Sequence, residues 1–194
     1  MFNLLGISTL AIVGIVLAVL VLIIIVYVWS MNNTLIRKKN DVEEAFATMD
    51  VYLKKRYDLI PNLVETVKGY AKHEKDTLTN VIAMRNMAVN AQSIDDKVKA
   101  ENNLTAGLKS VFALAENYPQ LKADANFNNL QNQLLAIEND IANSRKYYNA
   151  IVKSFNNTIQ IFPNSIIARR QNYKKMPMFV VDDEAERKNV QVKF

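Results

Sequence analysis

FNNLQNQLLAIENDIANSRKYYNAIVKSFNNTIQIF, running from Phe127 to Phe162, is the stretch that decides the fold. Phe127, Leu130, Leu134, Ile137, Ile141, Ser144, Tyr148, Ile151, Phe155, Thr158 and Phe162 fall at alternating steps of three and four, and only Ser144 and Thr158 are polar. That spacing draws one apolar stripe along a helix. A stripe this long needs apolar partners over its whole length, so the sequence predicts helices packed side by side at a shallow angle.

Working outward, residues 32–162 hold prolines only at 61 and 119 and glycines only at 69 and 107, a composition that predicts helix almost throughout. The two prolines and the polar stretch NAQSIDD, Asn90 to Asp96, cut the chain into four segments. The first runs from about Asn32 to Asp58, with Leu35, Val42, Ala45, Met49 and Tyr52 on its buried side. The second runs from Pro61 to about Ala91, marked by Val64, Val67, Ala71, Leu78, Ile82 and Met87. The third starts near Asp96 as N-cap, carries Leu104, Leu108, Val111 and Ala115, and ends at Tyr118-Pro119. The quoted stretch is the fourth.

Pro61 stands within RYDLIPNL, Arg56 to Leu63. Proline inside a helix removes a donor and crowds the carbonyl four residues back, at ~3 kcal/mol, whereas at the first position of a helix it costs little. Pro61 is therefore expected to form a helix corner, with one helix ending near Asp58 and the next beginning at residue 61. Short connections make neighbours antiparallel. The expected fold is all-α: an N-terminal transmembrane helix, then an antiparallel up-and-down four-helix bundle and an irregular C-terminal tail. Parity puts the Pro61 corner and the Pro119 turn at one end, with Asn90–Asp96 and Phe162 at the other. The domain boundaries expected are 1–31 for the anchor, 32–163 for the bundle and 164–194 for the tail. ARRQNYKKMPMF reads there as extended or irregular, and VQVKF as a short strand or a packed tail.

Leu4 to Trp29 carries no charge and is mostly Ile, Val and Leu, enough residues to cross a ~30 Å hydrocarbon layer. Tyr27 and Trp29 suit its interface. A cleaved signal peptide fits poorly, because no basic region precedes the apolar run and no small-x-small site follows it. Arg37, Lys38 and Lys39 follow the span closely, so the positive-inside rule places the N-terminus outside and the C-terminal part in the cytoplasm. The net charge is +5, from 24 basic and 19 acidic residues mixed along the chain. No basic stripe with interleaved aromatics appears, and no nucleic-acid partner is expected. Arg169, Arg170, Lys174 and Lys175 are the exception, expected near anionic headgroups.

The motifs RYDLIPNLVETVKGYAKHE (Arg56–Glu74), ENYPQLKADANFNNLQNQL (Glu116–Leu134) and AIENDIANSRKYYNAIVKSFNNTIQIFP (Ala136–Pro163), behind an N-terminal span, resemble the LemA family of bacterial membrane-anchored proteins. The resemblance covers roughly residues 30 to 170. It implies a four-helix bundle behind one transmembrane helix at the bacterial cell membrane. It also implies roles linked in some relatives to magnetosome membranes and in others to envelope stress or signalling. No catalytic residue carries over, because the family has no agreed one.

The residues themselves offer little chemistry. His73 is the only histidine, its HEKDT context lacks the second histidine of a zinc motif, and there is no cysteine. Neither a Gly-x-Ser-x-Gly turn nor a glycine-rich phosphate loop occurs. The expectation is a non-enzymatic protein with no cofactor, no metal and no catalytic residue. Its partners are then the lipid bilayer and a protein partner or a second copy. Polar residues near the apolar stripes form the candidate cluster: Arg56, Asp58, Arg85, Glu116, Glu138 and Arg145, with Asn149 and Asn156 beside them. They read either as ion pairs and caps that fix helix register, or as a site for a partner, small molecule or ion in the bundle core.

Overall fold

The computed structural model describes residues 9–179, and every regular element among them is a helix. Helix α1 spans Thr9–Tyr70, α2 Lys75–Asn90, α3 Ile94–Ala115, α4 Pro119–Lys122, α5 Ala125–Thr158 and α6 Asn164–Arg170. The charged DDEAER and the VQVKF end lie outside the described residues. The chain divides into two compact units, Met1–Glu43 with Lys153–Met176, and Glu44–Val152 with Pro177–Phe194.

In the first unit, the side chains of residues 9–30 are all exposed, and burial begins at Met31 and Leu35. Among the described helices, α1 alone is long and apolar enough to cross a membrane. Beyond that apolar run, Lys38 donates to Ser154 Oγ at 2.8 Å, and Phe155 meets Tyr173 edge to face at 5.9 Å. Helix α6 ends where Asn172 takes a positive φ of 56°. The Tyr173 N–H then reaches Ala168 O at 2.9 Å and the Asn172 N–H reaches Arg169 O at 3.1 Å. This pairing satisfies the last carbonyls and turns the chain out of the helix, and Asn is one of the few residues that tolerates the left-handed position. The expected irregular segment from Ala168 thus begins after one more turn of helix.

Pro61 forms no corner. It lies inside α1, which continues to Tyr70 without a break. The reason is tertiary. Proline has no N–H to give the Tyr57 carbonyl, and Arg85 Nε of α2 donates to that carbonyl at 3.2 Å. Ile60 and Leu63, on either side of the ring, are fully buried, and their packing holds the helix through the proline.

The break comes at Ala71–Glu74 instead, where α1 gives way to α2. Tyr70 donates to Asp124 at 2.8 Å and Tyr118 donates to Glu74 at 3.1 Å, tying this break to the turn between α3 and α5. These two connections therefore lie side by side in the second unit, the first of them ten residues further along the chain than the expected Pro61 corner. Helix α3 starts at Ile94, capped by Ser93 rather than Asp96: the Asp96 N–H donates to Ser93 Oγ at 3.0 Å, and Ser93 Oγ donates to the Asp96 carboxylate at 2.7 Å. Asp124 caps α5 by accepting from the Phe127 N–H at 2.8 Å.

Within the second unit, α2 lies against α3 at Gly107. A Cβ there would stand 2.7 Å from Met84 Sδ and 3.3 Å from Val81 Cγ2, so the missing side chain sets the approach. Of the expected α5 stripe, Phe127, Leu134, Ile141, Ser144, Tyr148 and Phe155 are buried, while past Tyr148 the flanking Val152 and Ile159 are buried in place of Ile151 and Thr158. A straight helix drifts against a seven-residue repeat, so the buried face migrates along so long an element. Phe162, the last residue of the expected stripe, is 76% exposed.

Candidate functional site

Four charged side chains from three helices meet inside the second unit. On α1, the buried stripe Met49, Leu53, Ile60, Leu63 continues through Arg56 at helical spacing, so the helix delivers a guanidinium to the interior. On α3, Glu101 falls in the row Val98, Leu104, Leu108, Val111 in the same way. Both side chains are fully buried.

Arg56 Nη2 pairs with Glu101 Oε2, and Nη1 pairs with Glu138 Oε1 of α5 and donates to Thr105 Oγ1 at 3.0 Å. Glu101 also accepts from the Tyr57 hydroxyl, and Arg145 of α5 approaches its Oε2 at 3.4 Å. Glu138 and Arg145 are partly covered, at 28% and 18% exposure. The guanidinium of Arg145 lies over the ring of Phe179 at 5.4 Å, and Phe179 in turn meets Tyr148 edge to face at 5.5 Å. Two cations and two anions thus balance. That balance matters, because an unpaired buried charge costs several kcal/mol.

The electrostatics follow from burial. Desolvation raises the Tyr57 hydroxyl far above its ordinary value, with the Glu101 charge and hydrogen bond adding to it. Tyr57 therefore stays a donor. Burial also lowers Arg145, and the positive Arg56 beside it acts in the same direction. Burial pushes Tyr148 up to about 12. Arg56 Nε and Arg145 Nε have no partner among the described residues. The arrangement holds its charges in fixed pairs; its carboxylates are bound by cations and its hydroxyl is held protonated.

Of the six residues expected in the cluster, the structure joins Arg56, Glu138 and Arg145. Arg85 lies one layer away on the Tyr57 carbonyl. Asp58 is exposed, and Glu116 is an exposed partner of Lys122. Both stand near apolar positions in the sequence, but neither side chain turns into the interior. Glu101, Tyr57 and Thr105 complete the network. Glu101 was absent from the sequence-derived set, although its place on the α3 stripe was the available signal.

Asn149 and Asn156 have a different role. Asn156 Nδ2 donates to Met176 O at 2.9 Å while its Oδ1 accepts from the Met176 N–H at 2.9 Å. Asn149 does the same for Phe179, at 2.8 and 2.9 Å. Each carboxamide pairs with one residue's backbone as a neighbouring strand would. Tyr148 adds a bond to Pro177 O at 3.1 Å.

A groove of ≈ 660 Å³ opens where α1 turns into α2, floored by Val64, Ala71, Leu78 and Ile82 and rimmed by Lys68, Lys72 and Lys75. Glu65 on the same rim pairs with Lys68 at 3.3 Å. None of the cluster's charged residues lines it.

The family model described as LemA family matches residues 45–194. A protein named Protein LemA from Metamycoplasma hominis is 24% identical over 163 residues, covering 82% of this chain and 73% of the relative.

Proposed function

The chain belongs to the LemA family, and from that premise we propose that it is a non-enzymatic, single-pass membrane protein that works as an interaction or scaffold module. Its apolar N-terminal helix is the anchor. Arg37, Lys38 and Lys39 after the span favour an outward N-terminus and a cytoplasmic helical part at the inner face of a bacterial membrane. In this reading α1, α2, α3 and α5 pack as an antiparallel up-and-down four-helix bundle. The network joining α1 to α3 and α5, and the Arg85 contact joining α2 to α1, support that arrangement.

The observation that carries the proposal is where the polar groups go. Arg56, Glu101, Glu138 and Arg145 bond to one another in the interior, while the apolar groove with its lysine rim opens to solvent. A partner segment with an apolar face and flanking acidic residues fits that groove. Such a module suits membrane organisation or relay of envelope stress. The competing reading, a sensor holding a small molecule or ion among the core polar residues, needs a cavity at that network, and the Arg56 Nη atoms are already taken by Glu101, Glu138 and Thr105.

The test is purification of the tagged full chain from solubilised membranes, beside a variant with Lys68, Lys72 and Lys75 replaced by Glu. The proposal expects a defined partner, or a second copy, with the wild type and its loss from the variant. Equal recovery with both chains would contradict the groove as the contact.

A further inference from the structure

The first unit contains apolar side chains that nothing in its packing explains. Ile161, Phe162 and Ile166 are 60%, 76% and 61% exposed. They sit in the turn after α5 and at the start of α6, where the Ser165 N–H donates to Ile161 O at 3.0 Å. Phe162 and Ile166 are four residues apart, and Arg169 and Arg170 follow at three and four more. Within α6, Ile166 shares a face with Arg169 and Arg170, and the exposed Ile161 and Phe162 precede it in the adjoining turn. Arg169, Arg170, Lys174 and Lys175 are all exposed.

The position of this element is fixed by a bond within the same unit. Gln171 Nε2 donates to Asn32 Oδ1. Asn32 lies three residues past Trp29, a rise of ~4.5 Å along α1, so the end of α6 is held within one helical turn of the last residue of the apolar run.

We propose that Ile161–Ile166 is a second membrane contact: Phe162, Ile161 and Ile166 dip into the interfacial layer of the bilayer that α1 spans, while Arg169, Arg170, Lys174 and Lys175 face anionic headgroups. This rests on the reading of α1 as the anchor. Aromatic and aliphatic side chains beside a basic cluster are the composition of an interfacial element, and each basic residue near an anionic surface is worth about fivefold in surface affinity. The element braces the chain against the membrane at a second point, so that α1 is not its only attachment.

The test uses the full chain reconstituted in vesicles of phosphatidylcholine with phosphatidylglycerol. Trp29 is the only tryptophan, so the wild type reports on the anchor, and a Trp29→Phe, Phe162→Trp variant reports on the turn. Ile166→Trp on the same background provides a second reporter, and circular dichroism confirms that each variant is helical. The expected result is blue-shifted emission from position 162 and about twofold quenching by lipids brominated near the headgroup. Quenching should fall when the four basic residues become Gln. Solvent-like, unquenched emission from both 162 and 166, with Trp29 quenched, would overturn the second contact and leave the anchor standing. Unquenched Trp29 in the wild type would overturn the anchor reading, and the inference with it.

Discussion

Replacing Arg56 by Met removes the cation that binds both acids of the buried network. Glu101, with no exposure at all, keeps only the Tyr57 hydroxyl and an Arg145 contact at 3.4 Å. Breaking a buried pair from one side costs about 3–5 kcal/mol, a large share of the 5–15 kcal/mol that typically separates folded from unfolded chains. Glu101→Met should cost about as much, because it leaves two arginines facing each other with only the partly exposed Glu138 between them. The double variant removes both charges together. Its residual cost is the unpaired Tyr57 hydroxyl, about 1–3 kcal/mol, together with the loss of Arg56 from the partly exposed Glu138. The cycle therefore predicts a coupling of several kcal/mol, with the double variant more stable than the sum of the singles demands. Denaturant unfolding of the full chain in mild detergent, followed by circular dichroism, measures it. Single variants within about 0.5 kcal/mol of wild type, or strictly additive losses, would refute a buried and paired network.

Three further predictions are local. Asp124 caps α5, and the backbone bond from Phe127, then the Tyr70 hydroxyl, hold its carboxyl below its ordinary value of 3.8. A depressed folded value means that this stabilisation is present above 3.8 and is lost as pH falls through the folded value. The Tm gap between wild type and Asp124→Ala should narrow in strong acid, and a constant gap would contradict the cap. Gly107→Leu should cost about 1–3 kcal/mol by wedging α2 from α3, whereas Gly69→Ala, with open space at its Cβ, should be neutral or stabilising by up to ~1 kcal/mol; equal effects in thermal unfolding would be the contrary result. Asn149→Ala removes two bonds of about 1 kcal/mol each from Phe179, so hydrogen exchange at the Phe179 amide should quicken by about thirtyfold. Unchanged exchange would mean that the carboxamide does not hold the tail.

The residues explain why some of this was legible in the sequence and some was not. Helix content follows from scarce proline and glycine, and the α5 stripe matches the buried face through Tyr148 and again at Phe155. Pro61 was misread because local cost is visible in a sequence while the donor that offsets it, Arg85, lies 24 positions away in the next helix. The true break at Ala71–Glu74 carries no proline, and the Glu74 side chain makes no cap bond there, so its local signal is weak. Arg56 stood out because a basic residue interrupts an apolar stripe. Glu101 occupies the equivalent place on α3, in register with Val98, Leu104 and Leu108, but an acid within a segment rich in charged residues gives little signal of burial. The two asparagines were noticed near the stripe, yet their pairing with Met176 and Phe179 depends on where the tail runs, which no periodicity encodes.

The central claim is that the chain acts by binding through the lysine-rimmed groove rather than through its polar core. A photo-reactive amino acid at Thr79, which lines the groove, tests this in intact membranes, with the exposed Leu135 of α5 as control. The account predicts a discrete heavier adduct from position 79, absent from 135 and lost when Lys68, Lys72 and Lys75 become Glu. Monomer alone from position 79, under conditions where Leu135 gives the same pattern, would contradict it.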